Sequence, residues 1–600
     1  MDRSTPTSAV SSQLSDQLSH DFGRISLQKG ASSYTESDHW TSILEELGDF
    51  KDMLNGREDT GEMNDARPQP GLDLLLNVSA PATKLEILSS IPPRSVVDSM
   101  IARYFSSADM PVTLIIHRHM FFRQYEAFWE RPFDTPIIWV TIVFGMMYQV
   151  AYYTLAASQD SGTLGDTMLS EYRDVVATAR QKMMQCLHLD NYLKGSRHTI
   201  EALLFLLQIE YVQGEGAEYG CWQLIGVIIR TAIKMGYHRD GSHFTEMSAF
   251  DAEMRRRVWY ILIQFDIASA VQVGLPRIIK ESQCDTAEPH NLLDDDFDEL
   301  STALPPARPQ TEHTLSQFLI YKSRIVSVYG MICDFTTSSK QRDYNEAMRL
   351  DSLLNRAYTG KPAVLEPKSM QKSIADGSHL ITRRLYIAMS YHHAQMTLHR
   401  KFMIPAKTDR TYACSYRTCT EAALSALQYQ RDLYEQCQPG RMLHSDRWKI
   451  LSLIQSEFVL ATTIICLDLD DDLTCNRYVD VSGSSTPNTE RNAKALESSK
   501  AIWLRQQDNS KEAQTAVKAI DLVLDKLNNA SVKVQNMNSP SPRQRFETSP
   551  YTATLASGAG LEELLPQDYL VDTVIPDSQD PSEWNELFDL DVPWDSWVQI

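Results

Sequence analysis

The stretch that most limits what this chain can become runs Tyr219-Gly-Cys-Trp-Gln-Leu-Ile-Gly-Val-Ile-Ile-Arg-Thr-Ala-Ile-Lys-Met-Gly-Tyr-His-Arg-Asp240. Tyr219, Trp222, Ile225, Gly226, Ile229, Ala232 and Ile233 recur at three- and four-residue steps, the period of one face of an α-helix. Gly236 stands where such a helix needs a left-handed stop. A second run starts near Phe250, carries Met254, Val258, Trp259, Ile261, Leu262 and Phe265, and ends before Gly274-Leu275-Pro276. Spacing by itself therefore predicts a helical core.

The same period extends along most of the chain. Pro92-Pro93 opens a helix with Val96, Val97, Met100, Ile101, Tyr104 and Phe105 on one side, proline suiting the first turn. A second helix uses Phe121, Phe122, Tyr125, Phe128 and Trp129. Further helices are expected at about 137–157, 168–188, 198–213, 217–235 and 250–273, with a Pro-rich break from Leu300 to Glu312. A second group continues at about 313–335, 343–357, 378–403, 411–436, 446–467 and 500–528, the last behind a Ser510 cap and after a polar loop at Asn476–Glu497. Near the start, Ser37 or Asp38 caps an amphipathic helix carrying Ile43, Leu44, Leu47, Phe50, Met53 and Leu54. No alternating strand set stands out, so the expected class is all-α. Polar, Ser-rich residues 1–33 are expected to be disordered, and 55–71 to be a Gly/Pro/Asp linker. Ile137–Ala157 is about long enough to span a bilayer, but holds Gln149, three tyrosines and two threonines without a basic flank; a buried core helix and no membrane partner are expected.

The net charge is −21, and the last forty residues hold eleven carboxylates with no Lys or Arg. That balance argues against free-standing nucleic-acid binding, which needs clustered cations. The tail interleaves acids with Trp584, Leu587, Phe588, Leu590, Trp594 and Trp597. Such a segment stays solvated by carboxylate repulsion and folds into a partner's apolar groove, the tryptophans acting as anchors. The nine cysteines are scattered with no Cys-x2-Cys pair, which excludes a tetrahedral zinc site of the usual spacing and suits buried thiols in a reducing compartment.

Candidate chemistry is sparse. Asp294-Asp295-Asp-Phe-Asp298 matches the Asp-Asp-x-x-Asp pattern with which all-α terpene synthases hold magnesium, but it sits between Pro289 and Pro305-Pro306 and no second metal motif accompanies it; a solvated loop is the plainer reading. Asp468, Asp470, Asp471 and Asp472 lack the glycine and closing glutamate of a calcium loop and read as a charged helix end. His392, Met396 and His399 share a helix face, but without His-Glu-x-x-His they read as packed or hydrogen-bonded core. Arg255-Arg256-Arg257 is spread around a helical turn. Arg256 and Arg257 are expected to form structural ion pairs with carboxylates such as Asp240 or Asp266, because Asp266 lies in an apolar run and would be costly unpaired. No nucleophile with its base, Walker loop or dinucleotide fingerprint occurs, so no catalytic, cofactor or metal site is expected.

Several of these pieces together resemble the regulatory middle homology region of fungal zinc-cluster transcription factors. They are the Trp/Gly helix closing on Gly236-Tyr-His-Arg-Asp240, Glu253-Met-Arg-Arg-Arg257-Val-Trp259, Asp266, Gly274-x-Pro276 and Pro289-His-Asn291-Leu-Leu-Asp294-Asp295. Ile116-His117-Arg118 ahead of an aromatic helix, and Tyr34-Thr-Glu-Ser-Asp-His39-Trp40, are similar to further family segments, the latter to the patch that comes after the DNA-binding module. The resemblance covers roughly Tyr34 to Leu527. It implies a nuclear regulator with an autoinhibiting or effector-responsive helical body, controlling a metabolic or secondary-metabolite gene set. Expected boundaries are 1–33, 34–71 (post-DNA-binding helix and linker), 72–310 (middle region), 311–529 (second helical group), 530–560 (linker) and 561–600 (activation tail). The six-cysteine zinc module is expected to be lacking upstream of Tyr34, leaving DNA contact to a homo- or heterodimer partner or to an upstream exon. The tail is expected to recruit transcription machinery, and the body to take a small-molecule effector. The rival reading is an all-α, magnesium-dependent prenyl-diphosphate enzyme built on Asp294–Asp298.

Overall fold

The computed structural model describes residues 24–28, 31–37, 39–44, 47, 81–106, 111–158, 166–212, 218–338, 343–475, 477, 486–506 and 510–538. Among them the chain is helical almost throughout, with sixteen α-helices and one two-stranded ladder. The chain divides into two units, Met1–Ser531 and Val532–Ile600, and the first of them holds the apolar cores.

The ladder pairs β1 (Arg24–Gln28) with β2 (Ala31–Thr35) antiparallel, Ile25 opposite Tyr34. This corrects the expectation of disorder to residue 33 for the strand positions; the alternation Ile25-Ser-Leu27 is too short for composition to register. Then come α1 (Trp40–Leu44), α2 (Lys84–Ser89), α3 (Arg94–Ser106), α4 (Arg118–Glu130), α5 (Ile137–Ser158), α6 (Asp166–Asp190), α7 (Thr199–Val212), α8 (Glu218–Lys234) and α9 (Ala249–Val273). Beyond the Pro-rich break lie α10 (Leu315–Thr336), α11 (Tyr344–Thr359), α12 (Ser378–Met403), α13 (Ala413–Gln436), α14 (Arg447–Thr474), α15 (Pro487–Trp503) and α16 (Lys511–Asn538).

Two large apolar cores form. The first gathers α2 to α9 around Trp139, Phe144, Leu204, Phe205 and Trp259. The second gathers α10 to α16, with Ile43, Leu44 and Leu47 from the N-terminal segment. Helices α9 and α10 contribute to both, Ile261 and Leu319 to the first, Ile267 and Phe318 to the second. A helix serving two cores must be apolar on opposite sides.

Helix α5 is long and apolar enough to cross a membrane by length and composition, and it is mostly buried inside the bundle. Its residues Ile137 to Tyr148 are buried without a break, so its all-round hydrophobicity is spent on protein neighbours.

Two helix expectations need correction. The expected polar loop Asn476–Glu497 contains the start of α15, which Thr486 caps with Pro487 in the first turn. Its early turns carry few apolar residues, so periodicity misses it while the cap signal does not. The expected helix 500–528 is therefore two helices, the second beginning where the Ser510 hydroxyl accepts the Ala513 N–H. Helix α14 also outruns its expected end by a full turn and more. The acidic run it carries is met by three cations among the described residues: Lys407 Nζ lies 2.7 Å from Asp468, 3.1 Å from Asp471 and 2.9 Å from Asp472, Arg477 pairs with the last two, and Lys526 with Asp470.

Candidate functional site

The motif residues converge on an ionic seam along α9. Helix α8 ends in a reciprocal cap: Gly236 takes φ 79°, its N–H donates to Ile233 O and the Tyr237 N–H to Ala232 O. This is the six-to-one closure that glycine permits. The reversal delivers Asp240 to the face of α9, where it is 3% exposed. Arg256 donates to both Asp240 oxygens, Nε at 2.7 Å and Nη2 at 2.6 Å. The amides of Ser242 and Ala287 add bonds of 2.9 Å each. Burial works to raise the Asp240 pKa, but the guanidinium and the amides overcome it and hold the carboxyl well below the usual range.

Arg257 is 0% exposed and donates to Asp294 at 2.6 Å and to Leu292 O at 3.2 Å, its guanidinium 4.9 Å from the Phe297 ring centroid. Burial opposes charge on Asp294, and Arg257 and His117 outweigh it, so the pKa falls. The Arg118 amide, in the first turn of α4, completes that carboxylate at 2.8 Å. Glu253 is buried and accepts from the His290 amide at 2.9 Å, with the His290 ring Nδ1 at 2.8 Å. His117 hydrogen-bonds Phe297 O through Nε2 at 2.9 Å; a carbonyl only accepts, so the proton is on Nε2. The strap 285–298 is thus laced to α9 and to the start of α4.

Asp266 departs from the expected ion pair. Its carboxylate accepts the amides of Ile278 at 3.0 Å and Ile279 at 2.6 Å, and burial still pushes its pKa above the ordinary carboxylate value. Backbone donors in the turn after Pro276 do what a guanidinium was expected to do. The nearby arginine, Arg277, instead grips Glu281 and Asp334.

The Asp294–Asp298 run does not converge on a cavity. Asp294 faces Arg257, Asp295 faces His119, Asp296 pairs with Arg308, and Asp298 accepts from its own loop. Such divergent, individually engaged carboxylates cannot share one cation. Among the described residues no group of three His, Cys, Asp or Glu is placed to hold a metal. His399 is set between Ser415 at 2.9 Å and Asp351 at 3.2 Å, while His392 faces Gln395. Sequence reasoning passed over Glu253, His290, Arg277 and Asp334 as partners. Glu253 and His290 both stand inside the quoted motifs, which was the available signal. Trp584, Leu587, Phe588, Leu590, Trp594 and Trp597 lie outside the described residues.

The seam along α9 lies within the span of a recognised domain: the profile of the fungal-specific transcription factor domain matches residues 101–359, from within α3 to the end of α11. The Zn(2)-C6 fungal-type transcription factor pigI of Monascus ruber is 40% identical over 92% of this chain and 69% of its own length. The Zn(2)-C6 fungal-type transcription factor mpsB of Macrophomina phaseolina is 34% identical over 99% of this chain and 82% of its own. The equisetin cluster transcription factor eqxF of Fusarium heterosporum is 34% identical over 85% of this chain and 74% of its own. No solved structure matches.

Proposed function

The chain belongs to the fungal-specific transcription factor family, and from that premise we propose that it regulates a secondary-metabolite gene set from the nucleus, without catalytic activity of its own. The supporting observation is likeness over nearly the whole chain to relatives named as transcription factors, one of them for the equisetin cluster. The α-helical body is the regulatory part, its two cores joined through α9 and α10. The acidic tail with Trp584, Leu587, Phe588, Leu590, Trp594 and Trp597 recruits transcription machinery: desolvating tryptophans supplies area, and the carboxylates keep the free segment solvated. These 600 residues contain no Cys-x2-Cys pair, so DNA contact comes from a partner chain or from sequence preceding Met1. The rival prenyl-diphosphate reading loses its basis with the carboxylates of Asp294–Asp298 each engaged elsewhere.

The test fuses residues 561–600 to a foreign DNA-binding module upstream of a reporter. Activation that falls at least about tenfold in a Trp594→Ala/Trp597→Ala variant, the loss of two anchors of about 1 kcal/mol or more each, is the expected result. A silent fusion with normal protein level overturns the recruiting role.

A further inference from the structure

A cavity of about 50 Å³ lies where α9, α10 and α12 meet. Its walls are mainly apolar, Ile267, Ala270 and Val271 from α9 with Leu275 and Pro276 beyond it. One edge is polar: Tyr329 from α10 and His393 and Thr397 from α12. His393 is 7% exposed. Among the described residues its ring engages the Tyr329 ring at 5.5 Å, and neither ring nitrogen has a hydrogen-bond partner. That contrasts with His399, two turns on in α12, whose nitrogens both face polar partners. An imidazole left without a protein partner beside the cavity can bond a hydroxyl or carbonyl placed there. Burial pushes the His393 pKa down to about 4, so the ring is neutral near pH 7 and offers one donor and one acceptor.

The cavity is roofed by chain from far away in sequence. Glu36 and His39 line it from above. The Glu36 N–H donates to Gly274 O at 2.9 Å, and His39 Nε2 to Gln272 O at 3.0 Å. Arg400 donates to Ser37 O at 2.8 Å, and the segment is seated by buried Ile43, Leu44 and Leu47. Gly274 has φ 63°, and a Cβ there would come within 2.8 Å of His39 Cβ. At the rim, Arg277 is consumed by Glu281 and Asp334, so it is not left to hold an anionic ligand.

We propose that this cavity binds a small uncharged molecule, mostly apolar with one hydroxyl that bonds His393 and donates to Thr397, and that Glu36, Ser37 and residues 39–44 are the lid it engages. The proposal rests on the reading of the helical body as effector-responsive and names where and what it senses. A cavity of this size admits a few waters or the edge of one ring, so a larger ligand lifts the lid.

Cys333 lines the cavity and reports on it. The full chain is alkylated with and without phenol, which is neutral at pH 7, and with benzoate, its anionic counterpart. Modification is tracked peptide by peptide, with exposed Cys414 as the reference. The expected result is that phenol slows Cys333 alone, by about tenfold at roughly ten times its Kd, and benzoate does not. His393→Phe fills the space and abolishes the phenol effect; Thr397→Val, a gentler change, weakens it. Gly274→Ala displaces the lid and speeds Cys333 without altering Cys414. Equal Cys333 rates with and without phenol, or equal protection by benzoate, overturn the ligand assignment, and an unaltered Cys333 rate in Gly274→Ala overturns the lid. Loss of reporter activation by the tail with phenol protection intact sinks the transcriptional reading alone.

Discussion

Replacing Asp240 with alanine isolates the ionic seam. The wild-type carboxylate takes two bonds from Arg256 and one amide each from Ser242 and Ala287. Arg256 is itself 8% exposed and its other carboxylate, Glu253, is 3.7 Å away, too far for a full replacement bond. Removing one partner of a buried pair costs about 3–5 kcal/mol, because the remaining charge loses its compensation. The loss falls on the strap 285–298, which is tied to the α8–α9 turn by the Ala287 amide and by Asp285. At about 1.4 kcal/mol per tenfold, amides of 285–292 should exchange with deuterium roughly 10²- to 10³-fold faster. Amides of α5, in the first core, should be unchanged. Asp240→Asn keeps the shape but turns one accepting oxygen into an NH2 donor, so it can keep only one of the two amide bonds and one of the two Arg256 bonds; its effect should be no larger than that of alanine. Strap exchange within about threefold of wild type in Asp240→Ala, less than about 1 kcal/mol, would refute the seam as the strap's anchor.

The lid should respond to acid. Burial is the main cause that lowers the His39 pKa from 6.5 to about 4, with the bond to Gln272 acting the other way. A base lowered in the folded state contributes stability in full above about pH 6.5 and loses it as the pH falls toward about 4. Docking of 39–44 therefore weakens by roughly 1–2 kcal/mol between about pH 7.5 and 5.5. Hydrogen exchange of Ile43 and Leu44, corrected for intrinsic rates, measures it, and a His39→Gln chain with the same pH slope would count against His39 as the cause. Lys407→Met removes the one cation that, among the described residues, reaches Asp468, Asp471 and Asp472 together, leaving Arg477 on the last two and none on Asp468. The expected loss is about 3–5 kcal/mol in the second core, read as a lower urea midpoint with Asp468→Asn restoring part of it; an unmoved midpoint contradicts the account.

Where a helix is apolar enough to be buried, its sequence locates it well: α5, α7, α8 and α9 begin and end within about two residues of their periodic runs, the usual scatter of helix ends. Helix α15 escapes because Asn488, Glu490, Arg491 and Asn492 dilute its first turns, although Thr486-Pro487 marks its start. The seam is half legible. Arg256 and Asp240 are separated by one turn and the start of one helix, close enough for charge pairing to suggest itself. The partners of Asp266 are peptide amides, which have no residue type to be read. The cavity is not legible at all, since His39 and His393 lie far apart in the chain and meet only after both cores have packed.

Helices α9 and α10 are claimed on opposite sides by two cores, and this fixes their length more than their composition. Deleting one residue from the middle of α9 would turn everything after it by about 100°. Ile267 would leave the second core, while Arg256 and Arg257 stayed where they are. Insertions and deletions are expected only outside these two helices, in connections such as the Pro-rich break 300–312.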